Sequence, residues 1–237
     1  MTRWAWFLAG TTVVVLLTVV FAILTARAIR SRQTEVDPEL WGDPRAMLGV
    51  SRRSLYLNAA ASQGLLLVAM LATIILAGVA MSDLYLPGEL SIPMAVMVGL
   101  LVGVVLAVVN LGMQGLLDLL GISYDDSLRE LLTPTSRGEW ILLLVVVLPV
   151  VAVFEELLFR GALIGGVAAG YELSPWILAV LSSVVFAAGH GLQGRGGLFA
   201  AFVLGLALAV VFVLTESLIV VIVAHYVVNT LEFARYR

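Results

Sequence analysis

Seven stretches of this chain are almost purely apolar and run about twenty residues each: 4–26, 55–81, 92–117, 140–165, 175–191, 197–214 and 218–233. Coiled as an α-helix at about 1.5 Å per residue, such a run crosses a hydrocarbon core roughly 30 Å thick. Inside that core no water is available to backbone N–H and C=O groups, so only helices and closed barrels can span it. The expected fold class is all-α, a polytopic integral membrane helical bundle with about seven transmembrane helices.

Composition supports this and excludes several alternatives. Of the 237 residues, 62% are hydrophobic, and the mean hydropathy of +1.10 is far from that of a soluble domain. No polar block is long enough for a second domain, so residues 1–237 are read as one membrane domain. A net charge of −3 leaves no nucleic-acid footprint. The absence of cysteine excludes disulfides, thiolate metal sites and a Cys nucleophile. All 13 basic residues are Arg, so a Ser–Lys dyad and a Schiff base are excluded as well. The first apolar run is too long for the h-region of a signal peptide and is read as a retained span.

Local signals mark the helix ends. Ser91-Ile92-Pro93 and Ser174-Pro175 place Ser at the cap and Pro in the first turn. Ser136 with Glu139 reads as a capping box. Trp4, Trp6, Trp140 and Trp176 fall at span ends, where indoles favour the interface. Alternating the spans puts Arg27, Arg30, Arg32, Arg45, Arg52, Arg53, Arg129, Arg137, Arg195, Arg235 and Arg237 on one side and only Arg3 on the other. The positive-inside rule then sets the N-terminus outside and the C-terminus in the cytoplasm, in a multi-pass protein of the plasma membrane.

Against this apolar background the buried ionisable residues stand out. A charged side chain at a helix centre in a bilayer costs from about 2.5 kcal/mol upward, and such residues mark functional sites by default. The fourth span contains Glu155-Glu156-Leu157-Leu158-Phe159-Arg160. Glu156 and Arg160 are i,i+4 in the favourable order for an ion pair. Glu155 lies about 100° round the helix, without an obvious basic partner, which suits a general base. Phe186 and His190 are i,i+4 on the fifth span, and His225 and Asn229 are i,i+4 on the seventh. A His and an Asn on one face can both donate to an oxyanion. Two His with a Glu could equally hold zinc and leave a fourth position for water.

Depth lets these groups meet. Spans four and five turn near Glu172, and counting from that turn at about 1.5 Å per residue places Glu155 and His190 at the same level, roughly 25 Å in. Counted from Ser136 instead, span four is too long for the bilayer, so a strong tilt or a break at Pro149 is expected. The stripe Asn110, Gln114, Asp118 on span three fits either a cavity lining or interhelical glue. Gly99 with Gly103, Gly112 with Gly115, and Gly161 with Gly165 suggest close helix packing. Glu172 and Glu216 fall in outer turns, as solvated groups. The loop 191–197 follows His190, and its glycines suit a gate; Arg195 there is a topology residue that could also attract a substrate carboxylate.

EELLFR, FAAGH and HYVVN, in that order on three apolar segments, resemble the CPBP family of CAAX-protease and bacteriocin-processing intramembrane endopeptidases. The family pattern is EExxxR, FxxxH and HxxxN/D, and Glu155, Glu156, Arg160, Phe186, His190, His225 and Asn229 occupy every defining position. The resemblance covers about the last hundred residues, giving a catalytic core over 137–237 and leaving the spans in 1–120 without an assigned role. It implies hydrolysis of a peptide bond in a membrane-associated protein or peptide. Glu155 with His190 would activate water, His225 and Asn229 would hold the oxyanion, and Glu156, Arg160 and Phe186 would support the site. It leaves open a glutamate-dependent scheme with no cofactor or a metallo scheme with a divalent metal such as zinc on Glu155, His190 and His225. Rival readings are a proton-coupled transporter and a non-catalytic membrane scaffold or immunity protein of the same fold.

Overall fold

A computed structural model of the chain describes residues 2–122, 127–190 and 194–235. Among them there is no strand. The helices are α1 (Arg3–Gln33), α2 (Pro44–Leu48), α3 (Arg52–Ala77), α4 (Ile92–Leu119), α5 (Ser127–Leu132), α6 (Arg137–Tyr171), α7 (Pro175–Ala188), α8 (Gly194–Thr215) and α9 (Leu218–Arg235). Helices α1, α3, α4, α6, α8 and α9 are long and apolar enough to cross a membrane. The chain is an all-α, multi-pass membrane bundle.

The fifth expected span is shorter than its apolar run. Helix α7 has 14 residues and ends at Ala188, which gives it about 21 Å of length. Gly189 caps the helix and His190 follows it in a turn, their N–H groups bonding the carbonyls of Phe186 and Ala187, so His190 sits past the helix end rather than along the helix. The proposed gate at 191–197 lies partly outside the described residues, as does Arg237. Arg195 is exposed.

Helix α6 is the axis of the bundle. Of its most apolar window 44% is buried, against 17% for α1, α3 and α4, which turn residues such as Leu65, Leu76 and Leu101 outward toward lipid. As an α-helix its 35 residues would measure about 52 Å, the excess length noted above. It does not break at Pro149. Instead it becomes π-helical over Leu143–Val147 and again over Leu157–Gly166. The N–H of Leu148 bonds the carbonyl of Leu143, five residues back, and Pro149, which has no N–H to give, follows directly. Wider turns shorten the rise per residue. They also leave Glu155 and Glu156 at the end of a short α-helical stretch, Leu148–Glu156, between two π segments. Such segments occur often at functional sites.

Connections at the two ends of the bundle stay separate, as alternation of the spans requires. At one end Arg52 donates to the carbonyls of Leu131 and Gly42 and to Thr135. The Tyr56 hydroxyl donates to the carbonyl of Leu132 at 2.6 Å. These bonds pin α5 to the start of α3. At the other end Leu218 N–H bonds the Tyr85 carbonyl, Glu89 N–H bonds that of Glu216, and the Tyr171 hydroxyl reaches the Trp4 carbonyl.

The caps depart from expectation in detail. Ser136 accepts from the N–H of Glu139, but the Glu139 carboxylate takes the N–H and hydroxyl of Thr135 rather than the N–H of Ser136. Ser91 and Ser174 occupy N-cap positions with Pro in the first turn, yet neither side chain makes a capping bond.

In lipid there is little hydrophobic gain from burying one apolar helix against another, so close backbone approach holds the bundle together. A Cβ at Gly99 would lie 2.7 Å from the Val220 carbonyl, and one at Gly103 would lie 2.8 Å from that of Ala224. These two glycines let α9 lie directly on α4. Gly165 similarly faces the Asp83 carbonyl, while Gly161 makes only ordinary contacts. Gly112 and Gly115 face open space, so the packing expected of them is not found.

Candidate active site

Three helices bring their polar residues to one place, and an ion pair lies at its base. Arg160 Nη1 is 2.8 Å from Glu156 Oε1, with both side chains buried. The π-helical turn between them directs the guanidinium across to α8, where Nη2 donates to the Gly205 carbonyl at 2.8 Å. The face of the Phe186 ring covers its Cζ at 4.9 Å, a cation–π contact in a dry setting. A Cβ on Gly205 would meet the Phe186 ring at 3.0 Å, so glycine keeps both contacts open. Nothing in the α8 sequence singles out this glycine from its apolar neighbours.

His225, on α9, completes the cluster. Its Nδ1 lies 2.6 Å from the same Glu156 oxygen that Arg160 holds, and its Nε2 lies 3.7 Å from Glu155 Oε2. An ionised carboxylate only accepts, so Nδ1 carries the hydrogen and Nε2 is left for the cavity. Glu156 therefore orients an imidazole as well as pairing with Arg160. The Glu155 side chain retains 13% exposure, against complete burial for Glu156.

His190 is fixed differently. Its Nδ1 is 2.9 Å from the carbonyl of Phe186 in the last turn of α7, which also accepts the N–H of Gly189 at 3.1 Å. A carbonyl cannot donate, so Nδ1 carries a hydrogen and donates it. Phe186 stands between the two imidazoles, with ring centroids 4.5 Å from His190 and 6.2 Å from His225. His190, His225 and Asn229 all line one cavity of about 70 Å³. That is room for roughly two waters.

Glu155 meets this group through His225. Among the described residues no hydrogen bond or ion pair joins it to His190. The ligand set expected for zinc does not gather either. No three His, Asp or Glu side chains among the described residues are grouped so as to hold a metal ion, and the donors as placed do not fit a three-ligand site.

Residues 137–231 match the family model described as Rce1-like, type II CAAX prenyl endopeptidase Rce1-like. Over this segment the chain is similar to the CAAX-protease family. All seven residues of the EExxxR, FxxxH and HxxxN pattern fall within the matched CAAX-protease segment. Neither curated proteins nor solved structures give a match.

Four residues outside the CAAX-protease segment approach the same cavity, and the sequence pattern does not single out two of them. Asn110, Arg129 and Glu232 line it together with the histidines. Glu232 accepts from Asn110 Nδ2 at 2.9 Å and from Gln114 Nε2 at 2.6 Å, and Arg129 Nη1 lies 2.6 Å from its Oε1. Asn110 is thus both cavity wall and interhelical glue, while Gln114 serves as glue. Arg129 is more than a topology residue, since its side chain is only 14% exposed. Glu232 follows Asn229 by three residues on the same helical face, the one signal that could have revealed it.

Proposed function

We propose that this protein is an intramembrane endopeptidase, CAAX-protease-like, which hydrolyses a peptide bond of a membrane-associated substrate by glutamate-activated water. The observation that carries the reading is the convergence of His190, His225 and Asn229 on one cavity beside the Glu155–Glu156–Arg160 cluster. Glu155 takes a proton from water while His190 Nε2 orients it. The hydroxide oxygen bonds the scissile carbonyl carbon, and the resulting oxyanion is held by the amide of Asn229 and by Nε2–H of protonated His225. As the C–N bond breaks, the proton on Glu155 passes to the leaving amine. Glu156 and Arg160 position His225 and the wall that Phe186 forms.

The test uses the full chain in proteoliposomes with a fluorogenic prenylated CAAX peptide, the substrate class named by the matching family. Cleavage is expected, and it is expected to persist in the presence of a zinc chelator. Loss of activity with chelator and its return with added zinc would instead support the metallo scheme. A preparation that leaves every such peptide intact would overturn the substrate class.

The Arg-rich end of the bundle belongs in the cytoplasm, with the N-terminus outside and the plasma membrane as host bilayer. Cysteines introduced into the loop 34–51 should resist an impermeant thiol reagent in intact cells and react after permeabilisation. Labelling from outside would invert the orientation.

A further inference from the structure

Pro149 deprives one carbonyl of α6 of its backbone donor, and the helix that carries His225 supplies another. In the first π segment the N–H of Leu148 goes to the Leu143 carbonyl, five residues back. In the same register the Leu144 carbonyl would accept from residue 149, which is Pro and has no N–H. In the α register it would accept from Leu148, whose N–H is already given to Leu143. A carbonyl so placed in an apolar span needs a donor from elsewhere. It accepts the hydroxyl of Tyr226 at 3.2 Å. Tyr226 is the neighbour of His225 on α9, and no step of the hydrolysis uses it.

Where the two ends of this bond lie gives it a further role. Helices α6 and α9 are tied at two levels, by Glu156 with His225 Nδ1 at 2.6 Å and by Leu144 with Tyr226. One such bond leaves α9 free to turn about it. Successive side chains on a helix point about 100° apart, so a helix held at both 225 and 226 cannot roll. On α6 the two contacts are twelve residues apart, and the first π turn and Pro149 lie between them. A slip of register there would change the angle at which Glu155 and Glu156 meet the imidazole. The Tyr226 ring packs against the cluster of Tyr56, Leu143, Val147 and Leu148, and the hydroxyl gives that packing a direction. Resting on the endopeptidase reading, we propose that Tyr226 is a positioning residue: its bond to the Leu144 carbonyl holds the π turn of α6 in register with α9 and so sets how His225 faces Glu155 and Glu156. Tyr226 does not line the cavity, so it acts through His225.

The experiment compares the full chain with its Tyr226→Phe variant, which loses only the hydroxyl. Kinetics are read on a prenylated CAAX peptide, and the imidazole N–H signals by NMR of protein carrying isotope-labelled histidine. The chain has two histidines, so each ring is read separately. In the variant kcat should fall about tenfold with KM within about twofold of wild type, inside the roughly hundredfold that a misplacement of about 1 Å can cost. The His225 Nδ1–H signal should move, while that of His190, held by the Phe186 carbonyl, should stay. An unchanged kcat would overturn the proposal, and so would a lower kcat with the His225 signal unmoved. The NMR signal needs no turnover, which separates this inference from the endopeptidase reading: a moved His225 supports it even if no peptide is cut, and an unmoved one overturns it. Pro149→Ala supplies the rescue. It returns an N–H to the chain, so the Leu144 carbonyl has a backbone donor in either register. Added to Pro149→Ala, Tyr226→Phe should change kcat by no more than about twofold and leave the His225 signal in place. A further loss of about tenfold in that background is contrary, and this pair replaces the first comparison if Tyr226→Phe alone fails to fold.

Discussion

Glu155→Gln protein should cut its substrate at least about a thousandfold more slowly than wild type while melting at nearly the same temperature. A general base contributes about 10²–10⁴ in rate, and the amide that replaces it cannot take a proton from water. The fold should survive because Glu155 is partly exposed and its contact to His225 is long, 3.7 Å. Gln keeps the shape and removes a charge that Arg160 does not pair directly. Turnover and melting are measured on the same detergent or liposome preparation. Wild-type-like turnover by the variant would remove Glu155 from the chemistry.

Arg160→Ala should behave in the opposite way, melting early as well as losing activity. It strands the fully buried Glu156 carboxylate, and breaking a buried pair at one partner costs about 3–5 kcal/mol. It also removes the donor to the Gly205 carbonyl and the cation over Phe186. Replacing both Glu156 and Arg160 by Leu should recover most of that stability, since apolar substitutes for a buried pair are often neutral. Activity should not return, because His225 then lacks the carboxylate that holds its Nδ1–H and orients the ring. Equal melting of Arg160→Ala and Glu155→Gln in detergent would refute this division between a structural pair and a reactive acid.

The sequence reveals the site where polar atoms interrupt an apolar background, and hides it where they do not. Glu155, Glu156, Arg160, His190, His225 and Asn229 are legible because each is costly at its depth. Their pairing is less so. Equal depth pointed Glu155 toward His190, yet helix rotation brings Glu155 to His225 and ties His190 to its own helix end. The π turns of α6 change its register, and the first of them, Leu143–Val147, holds no polar residue to mark the change. Gly205 is lost among similar residues for the same reason. Gly112 and Gly115 show the converse error, since small side chains permit close packing without requiring it. The Arg129–Glu232 pair joins residues on two helices that no spacing rule connects.

The contacts of α4 bear on how far this catalytic machinery can be exchanged between relatives. Family similarity starts at residue 137, a natural point at which to cut and graft. Helix α4 lies wholly before it, yet Gly99 and Gly103 supply the groove in which α9 rests, and Asn110 and Gln114 hold Glu232. A transplant that begins at the similarity boundary would carry His225 and Asn229 on a helix without its bed. Inheritance of this site is therefore collective: α4, α5 and α9 must change together, and divergence in the first half of the chain is limited by the surface that the second half presents to it.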